Sequence, residues 1–104
     1  MNTVDIIKEQ IAQNPVLLYM KGNPLFPQCG FSSQVVHILK ELGVKFESVN
    51  VLENPDIRAE LPKHANWPTF PQLYVQGELI GGCDIVTQLY QSGELKETLK
   101  DFTE

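Results

Sequence analysis

Cys29 stands in the stretch PQCGFSSQ, with Ser32 three residues on. A cysteine in place of Ser32 would complete a C-x-x-C redox pair. With serine there, a mixed disulfide formed at Cys29 has to be released by a second, external thiol. Cys29 falls just before the first turn of an expected helix, where unpaired backbone N–H groups favour a thiolate over a thiol. Lys21, upstream across a short loop, adds a positive charge. The alternative is a small apolar core cysteine, but such residues sit within apolar runs, and Pro, Gln, Gly and Ser frame this one. Ser32 is expected to cap free N–H groups near the helix start. Phe31 is either an ordinary staple contact or an apolar cover over whatever Cys29 holds.

Two further stretches have the composition of a binding site. In GGCDI, residues 81 to 85, two glycines precede a helix start. Backbone can approach a ligand closely there, and the helix N-terminus suits a carboxylate. Asp84 reads equally as a plain N-cap. WPTFPQL carries Pro68 and Pro71 at a strand entry, where proline also serves as edge punctuation. Cys83 is the only other soft ligand beside Cys29, and its approach to Cys29 is not read from the sequence. His37 lies eight residues beyond Cys29, about 12 Å along a helix. His64 sits in a polar stretch, and no Cys/His cluster has zinc spacing.

The elements that must position these residues follow from periodicity. Val4, Ile7 and Ile11 define a first amphipathic helix behind Asn2-Thr3, ended by Asn14-Pro15. PVLLYMK is a short buried strand and GNPLFPQ a loop. Val35, Ile38, Leu39 and Leu42 share one helix face, with Gly43 as C-cap. VKFESVNVL reads as the next strand, parallel to the first across a right-handed crossover. Asn54-Pro55-Asp56 opens a helix through Ile57, Arg58 and Leu61. QLYVQGELIGG is a hairpin turning at Gln76-Gly77-Glu78. From Asp84 the chain is helical again, with a break at Gly93. The order α-β-α-β-α-β-β-α-α predicts an α/β fold, a four-stranded mixed sheet flanked by helices on both faces. Cys29 then lies at the carboxyl end of the first strand, where open α/β sheets bind their ligands.

The 104 residues amount to one domain, 1–104, and leave no room for two. The composition, 42% hydrophobic and 20% charged, is that of a globular chain. A net charge of −5 argues against a nucleic acid partner, which needs a basic face. The longest apolar run, VLLYM, is far short of the roughly 20 residues of a membrane span. The opening MNTVDII has the pattern of neither a secretory nor a transit peptide. Two cysteines make no disulfide framework, so a reducing compartment, the cytoplasm, is expected.

KGNPLFPQCGFS, NPDIRAELP and WPTFPQLYVQGELIGGCDI, in this order, resemble the monothiol, CGFS-type glutaredoxins in their single-domain bacterial form. The likeness runs over essentially the whole chain. It implies a thioredoxin-like fold and glutathione as ligand. By that resemblance Lys21 and Arg58 hold the glycyl carboxylate, and Phe70 pairs its backbone with the cysteinyl part beside a cis Pro71. The Cys83 N–H and Asp84 take the γ-glutamyl end. It further implies that Cys29 is an iron ligand. A [2Fe–2S] cluster needs four soft ligands; one Cys29 from each of two chains and two glutathione thiols supply them, bridging a homodimer. BolA-like proteins and iron–sulfur acceptor proteins are the implied partners. Gly22–Gln28 is more apolar than the resemblance leads one to expect, which bears on cluster lability and partner choice. A cluster carrier is one reading. The other is a glutathione-dependent thiol–disulfide oxidoreductase, a weak one by the resemblance, with Cys29 as catalytic nucleophile.

Overall fold

The computed structural model describes residues 1–104. Strand β1 (Val16–Met20) has every side chain buried, and its alternation sends them to two different cores. Val16, Leu18 and Met20 enter one cluster with Leu73 and Val75 of β3 (Gln72–Val75). Leu17 and Tyr19 enter the other with Tyr74. Both faces of the sheet must therefore be covered, and the helices divide accordingly.

On one face lie α1 (Thr3–Gln13), which contributes Ile7, and α3 (Pro55–Ala65), which contributes Ile57 and Leu61. On the other are α2 (Gly30–Glu41), α4 (Cys83–Ser92) and α5 (Glu94–Leu99), with Val35, Val36, Ile38, Leu39, Val86, Leu95 and Leu99 in the core. A single 3-10 turn, Lys100–Phe102, follows α5. The sheet order is β2-β1-β3-β4, with β2 spanning Glu47–Asn50 and β4 Glu78–Gly81. β1 and β2 run parallel, and the β1–β3 and β3–β4 pairs are antiparallel. This is the mixed four-stranded sheet that the element order predicts.

Local signals explain most boundaries. Asn2 caps α1 by accepting from the Asp5 N–H at 2.8 Å. Leu42 is the last half-helical residue of α2, and Gly43 follows with φ +68°. The Gly43 N–H bonds Lys40 O and the Val44 N–H bonds Leu39 O, both at 3.0 Å, closing a Schellman motif. Gln76 and Gly77 both have positive φ and close the β3–β4 hairpin with two residues.

One expected strand is shorter than its sequence. Of VKFESVNVL only Glu47–Asn50 is β2. Val44 and Lys45 pair instead with the C-terminal tail: Lys45 N–H bonds Phe102 O at 2.8 Å, and Val44 bridges Thr103. β-rich residues there met a different strand partner.

Candidate functional site

Cys29 is the N-cap of α2, in extended conformation with φ −153° and ψ 137°. Its carbonyl accepts the first helical bond, from Ser33 N–H at 2.9 Å. The neutral thiol makes no capping hydrogen bond. The ionised sulfur does better: the Ser32 backbone N–H above all, then the Phe31 N–H, the Lys21 charge and the Ser32 hydroxyl, draw the thiol below its ordinary pKa. Desolvation opposes them and loses, because the residue is only part-buried.

Ser32 does something other than the capping expected of it. It lies inside the helix as its third residue, fully buried, and its hydroxyl accepts from the Lys21 backbone N–H at 3.1 Å. A third-position side chain points back over the first turn, here onto the end of β1. Ser32 thus fixes Lys21 against the helix start that carries Cys29.

The loop between them is held by its own backbone. Gln28 N–H bonds Lys21 O at 2.9 Å, and Gly22 bridges Pro27. Asn23 Oδ1 accepts from the N–H groups of both Leu25 and Phe26 at 3.0 Å. Gly22 has φ +90°, and a Cβ there would meet Phe26 O at 2.5 Å. Leu25 and Phe26 remain exposed, as does Phe31. The apolar character noted in the sequence is therefore displayed beside Cys29.

A cleft of about 200 Å³ opens next to this helix start. Phe31, Trp67, Thr69, Phe70, Pro71, Gly82, Cys83, Asp84 and Ile85 line it. It brings four of the predicted residues together: Phe70, Pro71, Cys83 and Asp84. The Phe70–Pro71 peptide bond is cis. The Phe70 N–H and carbonyl have no partner within the chain. Across the cleft α4 begins. Gly82 is its N-cap, so Asp84 is the second helical residue and the N-cap reading of Asp84 does not hold. Glycine suits the cap position, since a Cβ at 82 would sit 3.2 Å from Pro71 O and 3.3 Å from Trp67 Nε1. The first backbone hydrogen bond into α4 is Val86 N–H to Gly82 O at 3.0 Å. The Cys83 and Asp84 N–H groups are therefore left without a partner in the helix.

Lys21 and Arg58 do not line the cleft. Asn50 links the segments that carry them. Its Oδ1 accepts from Gly22 N–H at 3.0 Å, and its carbonyl accepts from Asn54 Nδ2 at 2.8 Å. Asn54 O in turn accepts from Arg58 N–H at 2.9 Å. Arg58 is exposed, Lys21 half-buried, and neither is in an ion pair. Sequence reasoning missed Asn50, whose signal was a polar residue ending a β-rich run. His37 and His64 are both exposed. No three His, Cys, Asp or Glu side chains gather into a site for a metal ion.

A glutaredoxin family model matches residues 16–80, which include Cys29 and run to the end of the cleft-lining Phe70–Pro71 segment and beyond. The chain belongs to the glutaredoxin family. It is 62% identical over 99 residues to glutaredoxin 4 of Escherichia coli K12, covering 95% of this chain and 86% of that relative. Glutaredoxin 4 of Haemophilus ducreyi is 60% identical over 101 residues, with 97% and 94% covered. Among solved structures, reduced apo GrxS14 of poplar superposes with a TM-score of 0.80 at 50% identity, over 94% of this chain and 90% of that one. A buckwheat glutaredoxin–glutathione complex, at 24% identity, matches the fold with a TM-score of 0.82 over 94% and 87%. The architecture is thus the thioredoxin-like one of glutaredoxins. With Ser32 where a second cysteine would stand, the chain is a monothiol glutaredoxin.

Proposed function

We propose that this glutaredoxin binds glutathione in the cleft and carries a [2Fe–2S] cluster as cargo between two copies of itself, for delivery to acceptor proteins. The observation that carries the reading is the Cys29 thiol at the start of α2, its pKa lowered by the helix-start N–H groups, next to a wall of unpartnered backbone groups. Phe70 N–H and C=O suit the extended cysteinyl segment of a tripeptide. The first N–H groups of α4, with Asp84, suit the amino-acid end. Lys21 and Arg58, free of ion pairs, suit the glycyl carboxylate. A buckwheat relative with the same fold is a glutathione complex. The chain has two free thiols, Cys29 and Cys83; with Cys83 given to the glutathione cleft, one Cys29 from each of two chains and two glutathione sulfurs supply the four thiolates of the cluster. Glutathione then belongs to both the site and the cargo, and exchanging it frees the cluster for an acceptor. BolA-like proteins are proposed partners, and the cytoplasm the compartment.

The lowered thiol pKa also favours a second reading, exchange at a glutathionylated protein. The Cys29 thiolate attacks the glutathione sulfur, and the protein thiolate leaves. A second glutathione thiolate then attacks the Cys29 mixed disulfide, releasing glutathione disulfide and restoring Cys29.

Anaerobic reconstitution with iron, sulfide and glutathione separates the readings. The expected result is a coloured dimer by visible absorption and sedimentation, and a colourless monomer for Cys29→Ser. Colour retained by Cys29→Ser, or formed without glutathione, overturns the ligand scheme. Rapid turnover of a glutathionylated substrate by a chain that holds no cluster favours the second reading.

A further inference from the structure

Gln72 is an amide inside the core. It lies on β3 opposite Tyr19, fully buried, on the sheet face that α1 and α3 cover with apolar side chains. A primary amide there loses its water and has to find partners. It finds three. Its Nε2 donates to the carbonyls of Trp67 at 3.1 Å and Thr69 at 3.3 Å. Its Oε1 accepts from the Tyr74 hydroxyl at 2.9 Å. Two carbonyl partners on one end and a hydroxyl on the other fix which end is nitrogen. Tyr74 is itself held edge-on against Tyr19, with ring centroids 5.7 Å apart. Burial pushes the Tyr74 hydroxyl up to about 12, so it stays a donor.

Both carbonyls that Gln72 holds belong to the cleft wall. Trp67 and Thr69 line the cleft, and Phe70, next in the chain, is the residue whose N–H and carbonyl are left unpartnered. No helix or strand covers 67 to 71, so no backbone ladder sets its orientation. Trp67 Nε1, buried and unpartnered, contributes none either.

We infer that Gln72, oriented by Tyr74, is a positioning residue for the ligand cleft. By drawing the Trp67 and Thr69 carbonyls inward it keeps the Phe70 backbone facing the cysteinyl part of glutathione. The amide acts through the loop and touches no ligand. The ligand in this inference rests on the glutathione reading above; the placement of the loop does not.

Calorimetric titration of glutathione into Gln72→Leu tests it, with Tyr74→Phe as the gentler variant that keeps the amide. The dissociation constant should rise about tenfold for Gln72→Leu and about threefold for Tyr74→Phe. The double variant should be no weaker than Gln72→Leu, because both act through one network. Alkylation of Cys29 should keep its pH midpoint, since the α2 start is untouched. A merely structural amide would lower thermal stability in both variants and leave the affinity alone, which overturns the inference. Failure of the glutathione reading looks different: the native chain itself gives no heat. Trp67, the single tryptophan, then decides. Acrylamide should quench its emission at least twofold more efficiently in Gln72→Leu, or in Tyr74→Phe should the former not fold. Unchanged quenching overturns the placement itself.

Discussion

At the scale of single residues, the chemistry concentrates in Cys29, and the causes of its lowered pKa fall in an order. The Ser32 N–H is the largest cause of the lowered thiol pKa, ahead of Phe31 N–H and Lys21. Backbone donors survive side-chain substitution. Lys21→Ala should therefore raise the pH midpoint of Cys29 alkylation yet leave it below that of an ordinary thiol. A midpoint returning fully to the ordinary value would mean that lysine, not the helix start, makes the thiolate. The same shift carries a stability signature. The unfolded thiol binds its proton more tightly than the folded one, so stability rises with pH between the lowered and the ordinary pKa. The gain is complete above the ordinary value and lost as pH falls through the lowered one. Chemical denaturation across that window should show the rise in the native chain and not in Cys29→Ser. Cys29 was legible in the sequence because its polar frame and the helix pattern behind it are local facts. Ser32 was not: whether a serine caps a helix or lies in its third position depends on where that helix begins, and Cys29 took the cap.

The elements are held around the site by polar groups at strand ends more than by helix propensity. Asn50 ties the end of β1 to the approach to α3, and Gly22 lets the chain leave β1 in a left-handed turn. Gly22→Ala forces a Cβ to within 2.5 Å of Phe26 O and 2.6 Å of Gln28 N, both backbone atoms that have no rotamer to escape into. Left-handed backbone alone costs a residue with a Cβ roughly 1–2 kcal/mol, and the clash adds to it. Urea denaturation should show at least that loss, and Cys29 alkylation should slow as Gln28 and the following cap are displaced. Equal stability would show that the loop has a second conformation. Helices, the hairpin and the sheet order were readable from apolar spacing and turn residues such as Asn2, Gly43 and Gly77. The length of β2 was not, since the pairing of Val44 and Lys45 with the tail is a contact between residues more than fifty positions apart. Gln72 was hidden for a similar reason: within QLYV it reads as a polar strand residue, and only the fold reveals it to be fully buried.

For the whole molecule, the net charge of −5 bears on how two copies meet. No helix is long and apolar enough to cross a membrane. The local charges at the site are of both signs, Lys21 and Arg58 positive and Asp84 negative, so the net charge sets the long-range term between two copies. Bound glutathione, itself a net anion, neutralises part of the local positive charge and adds to the global negative one. Repulsion between exposed charges is screened over about 10 Å at 0.1 M salt and about 3 Å at 1 M. The cluster-bridged dimer should therefore be favoured by salt: sedimentation of the holo protein should show a larger dimer fraction at about 0.5 M sodium chloride than at about 0.05 M, where the screening length is correspondingly longer. A heterologous partner that uses opposite charge would show the reverse dependence. A holo dimer that dissociates as salt is raised would mean that complementary charge pairs between the two chains, Asp84 against Lys21 or Arg58 among them, outweigh the repulsion of their net charges.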